Sequence, residues 1–318
     1  MLGLGCAAVD EVLYVPAFPE SDQKIKVTHG VRRFGGLTGA ALVTAARLGS
    51  RCAYAGCLGT DDASQQVAEN FEREGINVQH APRFSKAQVV RSTIVVGQDK
   101  GTRNVFYRND GCVGAHDRLP AQEVIRSARV LFIDEYGLAG NRRAVRIARA
   151  ASVGVVADFE DPTISELAEL MCQVDHLIVS ESFAASVTGK PHADRAALAL
   201  WREDRAVVIV TCGRRGCYSV STANPSTAQY HASYSVKEAD TTGCGDVFHG
   251  AYAASLAREE PLARRIAFAS AAAALKARDS EIPRLEALEK FVRSRANPKP
   301  PRRENPSRKA RARHYARG

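Results

Sequence analysis

From residue 40 onward, short apolar runs alternate with amphipathic segments of helical period, and this alternation limits the possible folds more than any other feature. The apolar runs are continuous, as expected for strands that helices cover on both faces; they include "ARVLFIDEY", "VGVVADFED", "DHLIVS" and "AVVIVTCG". Helical patterns such as "NRRAVRIARAAS" and "RAALALWRED" lie between them. Strands that alternate with helices predict an α/β protein with a doubly wound, mostly parallel sheet flanked by helices.

Two segments depart from this pattern, at about residues 10–34 and 86–113. They show period-2 alternation and turn residues without an intervening helix, which predicts antiparallel hairpins. A small second sheet of this kind needs a surface to pack on, either a cleft of the same chain or a partner subunit. We therefore expect a β-sheet lid over a cleft, which could also contact a second subunit.

The composition is that of an ordinary soluble protein. Of the 318 residues 45% are hydrophobic and 25% charged, and no apolar run approaches the roughly 20 residues that span a membrane. The start, "MLGLGCAAVDEVLYVP", lacks a basic n-region and reaches Asp10 and Glu11 early, so it predicts a first strand rather than a signal peptide. The eight cysteines form no CxxC pair, which indicates reduced thiols and disfavours a zinc site at Cys212 and Cys217. We expect a cytoplasmic protein with no membrane partner.

The net charge of +9 is concentrated at the end of the chain. Residues 293–318 contain ten Lys or Arg and one Glu, so the preceding 292 residues are neutral overall. This segment is rich in Pro, Arg, Asn and Ser and has little to bury, which predicts disorder. We interpret residues 1–292 as one folded domain and 293–318 as a basic tail. A nucleic-acid-binding arm is one reading of the tail, and a solubilising extension is the favoured one.

The stretch "ADTTGCGDVFHG", residues 239–250, concentrates residues suited to chemistry. The preceding "YSVKEAD" predicts the end of a strand, and "DVFHGAYAASLARE" has a helical apolar pattern. Gly243, Cys244 and Gly245 would then present backbone N–H groups at a helix N-terminus, which attracts anions. Asp246 is either a capping residue or a base. A carboxylate beside an anion site is useful if it accepts the proton of a hydroxyl that attacks phosphorus.

This stretch, "DTTGCGD", resembles the D-T-x-G-A-G-D signature of the ribokinase-like, or PfkB-type, carbohydrate kinases. Three further segments resemble the family in the same order along the chain: "GGLTGAALVTAARLG", "VTCGRRGCY" and "FASAAAALK". The likeness extends from residue 1 to about residue 292, and it is greatest to the ketohexokinase and sulfofructose kinase branch. The resemblance implies the ribokinase-like fold and an ATP-dependent sugar kinase that transfers the γ-phosphoryl group to a hydroxyl of a sugar or sugar derivative.

The resemblance also implies roles for individual residues. Asp246 matches the catalytic base, and the backbone of residues 243–245 matches the anion hole. The positions that match sugar-binding residues are Asp10, at the end of the first strand, Gly35, Gly36 and Arg103. The positions that match ATP-binding residues are Thr211, Gly213, Gly216, Thr242 and Ser270.

Ions and subunits follow from the same resemblance. ATP implies Mg²⁺, whose protein ligands the sequence does not identify. Asp240 matches a position next to which a monovalent cation such as K⁺ binds in many members, and it could equally cap the turn before the helix. A homodimer through the lid is the expected assembly, with a small sugar as the ligand.

Several positions differ from the family pattern. Leu37 and Ala40 replace polar residues that contact the sugar, and Ser180 and Phe183 stand at the key places of the N-x-x-E motif associated with magnesium. The loop that helps to bind the cation is shortened to "KARDSEIPR". The sugar and the ion dependence are therefore left open by the sequence.

Three other functions are alternatives to a sugar kinase. Gly3, Gly5 and Ala8 nearly form the dinucleotide fingerprint G-x-G-x-x-A, but the strand pattern "VDEVLYV" follows where that fingerprint requires a helix. A catalytically weak sensor of the same fold is disfavoured because pure binding needs no base at Asp246. A nucleoside kinase of the same fold is the third alternative.

Overall fold

The computed structural model describes residues 1–99 and 102–296. In chain order, the strands are β1 (Leu2–Leu4), β2 (Ala8–Val15), β3 (His29–Gly35), β4 (Cys52–Tyr54), β5 (Ile76–Asn77), β6 (Val90–Gly97), β7 (Thr102–Arg108), β8 (Val130–Ile133), β9 (Gly154–Phe159), β10 (His176–Ser180), β11 (Val207–Thr211), β12 (Cys217–Ser221) and β13 (Asn224–His231). The helices are α1 (Leu37–Arg47), α2 (Asp62–Arg73), α3 (Gln122–Arg126), α4 (Leu138–Ala150), α5 (Leu167–Cys172), α6 (Glu181–Thr188), α7 (Ala193–Leu200), α8 (Cys244–Ala257), α9 (Leu262–Asp279) and α10 (Leu285–Ala296), and a 3-10 turn spans Gly213–Arg215.

A nine-stranded sheet in the order β13-β12-β11-β10-β9-β8-β1-β4-β5 forms the centre of the fold. In this sheet, the strands β5, β4, β1, β8, β9, β10 and β11 pair in parallel with their neighbours. Strands β12 and β13 add an antiparallel edge. Alternate side chains of each central strand enter different cores: Ile178 packs on one face, and Leu177 and Val179 on the other. The predicted α/β fold with helices on both faces is confirmed.

A second, four-stranded sheet has the order β3-β2-β6-β7. It is built from the two segments that the period-2 pattern had singled out. In this sheet β2 pairs with β3 in antiparallel and with β6 in parallel orientation, and β7 forms the far edge beyond β6. The predicted small sheet is therefore present, and we call it the lid sheet.

The expected single first strand is instead two strands in different sheets. The chain leaves the main sheet after β1 and enters the lid sheet at β2, and two contacts fix the change of direction at residues 5–7. A Cβ at Gly5 would lie 2.1 Å from Thr38 Oγ1, and the Cys6 N–H donates to Asp134 Oδ2 at 2.7 Å. Asp10 is consequently the third residue of a lid strand, not the end of a strand of the main sheet.

The approach to α8 also differs from the expected strand end at "YSVKEAD". Strand β13 ends at His231, and residues 232–239 form no strand. The segment instead follows the end of α9, where the N–H groups of Ala239 and Asp240 donate to Ala277 O at 2.7 and 3.1 Å. Helix α8 packs against α1 and α9, and Gly250 permits the close approach because a Cβ there would lie 2.3 Å from Ala41 O.

The described chain ends with α10, which runs to Ala296. The predicted domain boundary at residue 293 falls within this helix, and residues 297–318, most of the predicted basic tail, lie outside the described residues. In the part of the chain that is described, no helix is long and apolar enough to cross a membrane.

Candidate active site

The N-terminal turn of α8 forms the centre of the site. Gly243 precedes the helix in the left-handed conformation, with φ of 74°, which glycine adopts without strain. The Cys244 N–H donates to Thr241 O at 3.3 Å, whereas within the described residues the N–H groups of Gly243 and Gly245 donate to no protein acceptor. Two of the three N–H groups predicted for the anion hole are thus free to bind an anion.

Two cavities meet at this turn. The first, of about 1470 Å³, lies between the lid sheet and the loops that follow β8 and β9; its lining includes Asp10, Gly36, Arg103, Thr242, Gly243, Gly245 and Asp246. The second, of about 250 Å³, borders the 3-10 turn, α8 and α9; its lining includes Thr211, Gly213, Gly216, Cys244, Gly245 and Ser270. Thr241 and Gly245 line both cavities.

The structure brings nearly all of the predicted site residues to these cavities. Thr242, expected at the nucleotide, lines the first cavity rather than the second. Gly35 lies behind Asp10, and a Cβ there would be 2.9 Å from Asp10 Oδ2. Asp240 lines neither cavity and faces two cationic side chains instead.

Asp246 lies among other carboxyl groups at the bottom of the first cavity. Burial raises its pKa well above the ordinary value, and the charges of Asp158, Glu160, Asp10 and Asp134 raise it further. Each of these groups disfavours the negative charge on Asp246. A carboxylate in this setting holds a proton more strongly than an exposed aspartate, as a general base requires.

Asp10 reaches the first cavity from the lid sheet. Burial raises its pKa, while the Ser92 hydroxyl that donates to it and the Arg33 charge lower the pKa. Arg103, on β7, is exposed and belongs to the same lining. The lid thus contributes an acceptor and a cation to one cavity.

A buried carboxylate that sequence analysis did not identify binds the segment between β1 and the lid sheet. Asp134, which follows β8, accepts hydrogen bonds from the Cys6 N–H at 2.7 Å, the Thr38 hydroxyl at 2.8 Å and the Tyr136 N–H at 2.9 Å. Burial raises its pKa to about 6, although these hydrogen bonds act in the opposite direction. Asp134 therefore joins the end of β1, helix α1 and the loop after β8.

A second group missed by sequence reasoning anchors α8. The ring nitrogens of His249 lie 2.9 Å from Gly245 O and 2.9 Å from Ile178 O, and Nδ1 is 3.2 Å from Asp158 Oδ2. The ring therefore lies between the first turn of α8 and β10, and one of its nitrogens contacts the carbonyl of the peptide that joins Gly245 to Asp246. The letters "DVFHG" offered only a weak hint, because the partners lie far away in the sequence.

The positions that differ from the family pattern have structural roles here. Ser180 caps α6, since its hydroxyl accepts the Phe183 N–H at 3.1 Å, and the Phe183 ring is buried. Leu37 and Ala40 are buried in α1. None of these four side chains replaces the polar contact that the family pattern has at its position.

Asp240 has an electrostatic environment unlike that of the other carboxylates. Its Oδ1 accepts the Thr242 N–H at 2.9 Å, and its Oδ2 accepts Arg33 Nη1 at 2.8 Å and lies 3.6 Å from Lys276 Nζ. Burial alone would raise its pKa, but these hydrogen bonds and the Lys276 charge lower the pKa to about 2. Asp240 caps the turn, and two protein cations already neutralise it.

Comparison with known proteins identifies the family. Residues 4–282 match the model described as pfkB family carbohydrate kinase. The chain belongs to this family. It is accordingly a carbohydrate kinase, a phosphotransferase that uses ATP and an alcohol acceptor.

Relatives and solved structures agree with this placement. The chain is 27% identical over 302 residues to a ribokinase of Haemophilus influenzae, which covers 90% of this chain and 96% of the relative. It is 26% identical over 244 residues to fructokinase-2 of Solanum lycopersicum, at 68% and 70% coverage. The fold is similar to a ribokinase of Thermotoga maritima, with a TM-score of 0.79, 24% identity and coverage of 92% and 98%. A ribokinase of Arabidopsis thaliana complexed with ribose and ATP has a TM-score of 0.79 at 19% identity, with coverage of 92% and 97%.

Proposed function

We propose that the protein transfers the γ-phosphoryl group of ATP to a primary hydroxyl of a neutral pentose or ketohexose, with Asp246 as the base. The observation that carries this proposal is the position of the α8 N-terminal turn, which borders both cavities. A sugar in the first cavity and a nucleotide in the second would meet at Gly245. Neither the sensor nor the nucleoside kinase is favoured by the family relatives.

In this mechanism, Asp246 accepts the proton from the attacking sugar oxygen. The free N–H groups of Gly243 and Gly245 bind the charge that develops on the transferring phosphoryl group. His249 lies beside Gly245 O and supports the peptide that joins Gly245 to the proposed base, Asp246. The two roles require a carboxylate and unpaired N–H donors at the same turn, and this turn has both.

The second cavity is proposed to hold the nucleotide. Its small lining residues, among them Gly213, Ala273 and Ala274, leave a slot for a flat base. Mg²⁺ would arrive with ATP, because this ion is usually held by substrate phosphates and one or two carboxylates rather than by a protein cage. Glu160, which lines the first cavity with Asp246, is the carboxylate that we propose to hold it. The ion would neutralise charge on the phosphates.

The charges of the first cavity suggest which sugars fit. Carboxyl groups in its lining outnumber guanidinium groups; the carboxyl groups belong to Asp10, Asp117, Glu135, Glu160, Asp161, Glu166 and Asp246, and the guanidinium groups to Arg103 and Arg142. Such a lining offers many acceptors for sugar hydroxyls and few cationic partners for an anionic substituent. The ribokinases and fructokinases among the relatives point to ribose and fructose as first candidates. Closeness to the ketohexokinase and sulfofructose kinase branch remains part of this proposal, and the charge favours its ketohexokinase side.

A substrate screen tests the proposal. Purified protein is incubated with ATP, Mg²⁺ and ribose, fructose or a sulfonated fructose, and ADP and sugar phosphate are measured directly. We expect sugar-dependent ADP formation with a neutral sugar and little with the sulfonated one. Absence of turnover with every neutral pentose and hexose would refute the proposal.

The lid sheet provides the basis for the proposed homodimer. On β7, Val105, Phe106 and Tyr107 are 49%, 57% and 64% exposed. Val105 and Tyr107 line the first cavity, whereas Phe106 lies on the other face of the strand. A second copy that covers this strand would bury these apolar side chains. A cytoplasmic location remains a prediction.

A further inference from the structure

Lys276, near the end of α9, carries a buried ammonium group that the proposed mechanism does not use. The residue is 7% exposed, and its Nζ makes no hydrogen bond within the described residues. Among residues 1–99 and 102–296, the acidic group that pairs with it is Asp240, whose Oδ2 lies 3.6 Å from Nζ. An ammonium ion is strongly hydrated in water, so a buried lysine with no hydrogen bond requires a reason.

Asp240 cannot fully neutralise this charge, because it is shared. Arg33, on strand β3 of the lid sheet, donates to the same Oδ2 at 2.8 Å. Arg33 also acts on Asp10, whose pKa its charge lowers, so two cations face Asp240 and one of them is shared with a second carboxylate. A metal cation brought to Asp240 would meet the charges of Arg33 and Lys276, so the residues present do not fit a monovalent cation beside Asp240.

The Asp240–Lys276 pair lies next to the proposed anion hole. Asp240 is three residues before Gly243 and holds the turn through the Thr242 N–H at 2.9 Å. On the helix side, burial raises the pKa of the Cys244 thiol, and the Lys276 charge lowers it. Lys276 therefore acts on the turn through its ion pair with Asp240, and its charge also acts on the first residue of α8.

We propose that Lys276 is a built-in replacement for a monovalent cation: its ammonium group positions the Asp240 turn and adds positive charge behind the anion hole, which makes the enzyme independent of K⁺. The inference rests on the proposed phosphoryl transfer. Lys276 acts through the turn and touches no reacting atom, so it is a positioning residue. Its ammonium group is part of the chain, whereas occupancy by a bound ion would depend on the K⁺ concentration.

The first test uses the unmodified protein. ADP formation with ATP, Mg²⁺ and an accepted sugar is measured chromatographically in tetramethylammonium chloride and in KCl at equal ionic strength, so that no coupling enzyme adds its own ion requirement. We expect turnover in the two salts to agree within about twofold, and an increase of about tenfold or more in KCl would overturn the proposal. The melting temperature in both salts is a separate readout, because an ion that binds the native state would raise it. A clear rise in KCl would overturn the inference even in a preparation without turnover, whereas absence of turnover in both salts would count against the proposed function alone.

The second test removes the ammonium group. Lys276→Ala opens a space of ionic size beside Asp240, and Lys290→Ala, at an exposed position of α10, is the matched control. We expect Lys276→Ala to lose at least about tenfold in turnover in tetramethylammonium chloride and to recover in KCl or methylammonium chloride, while the control behaves like the unmodified protein. Recovery by a cation is not expected if the side chain only fills space. Full activity of Lys276→Ala without added cation, or a loss in folded protein that no cation restores, would overturn the proposal.

Discussion

Replacement of Asp246 by Asn separates the chemistry of the site from its stability. The amide has nearly the same shape but cannot accept a proton, so turnover should fall by roughly 10² or more. A hundredfold loss corresponds to about 2.7 kcal/mol of transition-state stabilisation. The KM for ATP should change little, because the nucleotide is proposed to lie in the second cavity, which Asp246 does not line.

The same substitution should make the protein more stable at neutral and alkaline pH. Burial and four neighbouring carboxyl groups raise the pKa of Asp246 in the folded state above its unfolded value. The folded state therefore binds the proton more tightly, and the free energy of unfolding falls as the pH rises from the unfolded pKa through the folded one. Asn removes this loss, so the gain in melting temperature should be full above the folded pKa and vanish near pH 4, the unfolded pKa.

Two measurements check this prediction. Initial rates at saturating sugar and ATP should rise with pH for the unmodified protein, as Asp246 becomes deprotonated, and the Asn variant should lose this dependence. Thermal unfolding from acidic to alkaline pH should show a widening advantage for the variant. Near-normal turnover of the Asn variant would remove Asp246 as the base. A variant less stable than the unmodified protein at high pH would contradict the electrostatic argument.

Four further predictions follow from single features. Gly245→Val should reduce turnover at least about tenfold, because Gly245 lines both cavities and a side chain there would obstruct the approach of the phosphoryl group. The melting temperature should not fall, because a Cβ at Gly245 meets no protein atom within 4 Å. Cys244→Ala should be nearly neutral in rate assays. Arg103→Met should raise the KM for the sugar more than it lowers kcat, and an unchanged KM would remove Arg103 from the sugar site. Phe106→Glu should shift the predicted dimer to monomer in analytical ultracentrifugation, and an unshifted dimer would place the interface elsewhere. Deletion of residues 297–318 should leave melting temperature and turnover unchanged, since the described site lies within residues 1–296; binding of RNA that the deletion abolishes would restore the nucleic-acid interpretation of the tail.

Local patterns predicted the elements that depend on neighbouring residues. Continuous apolar runs identified the parallel strands because both faces of β9, β10 and β11 are buried, and a glycine-rich turn before an apolar helix identified the start of α8. The prediction of a single first strand was wrong, because a run of small apolar residues contains no local signal that the chain passes from one sheet to another. That change depends on Asp134, which lies more than a hundred residues away and binds the Cys6 N–H.

The electrostatics of the site were harder to predict from the sequence, because they arise from residues that only the fold brings together. Asp240 had two equally weighted roles in the sequence, cation neighbour and turn cap, and nothing in "KEADTTG" distinguishes them. The Thr242 N–H bond shows the cap, and our proposal against a bound cation rests on Arg33 and Lys276, 207 residues before and 36 residues after Asp240, whose charges meet on one carboxylate oxygen. Arg33 belongs to no recognisable motif, and Lys276, the last residue of "FASAAAALK", reads in sequence as an ordinary helix residue after an Ala-rich run. One signal could have identified Lys276: it is a charged residue that follows an Ala-rich run, at a position where the helical pattern places the buried face. Burial of a lysine in a core costs free energy unless its charge has a partner or a function.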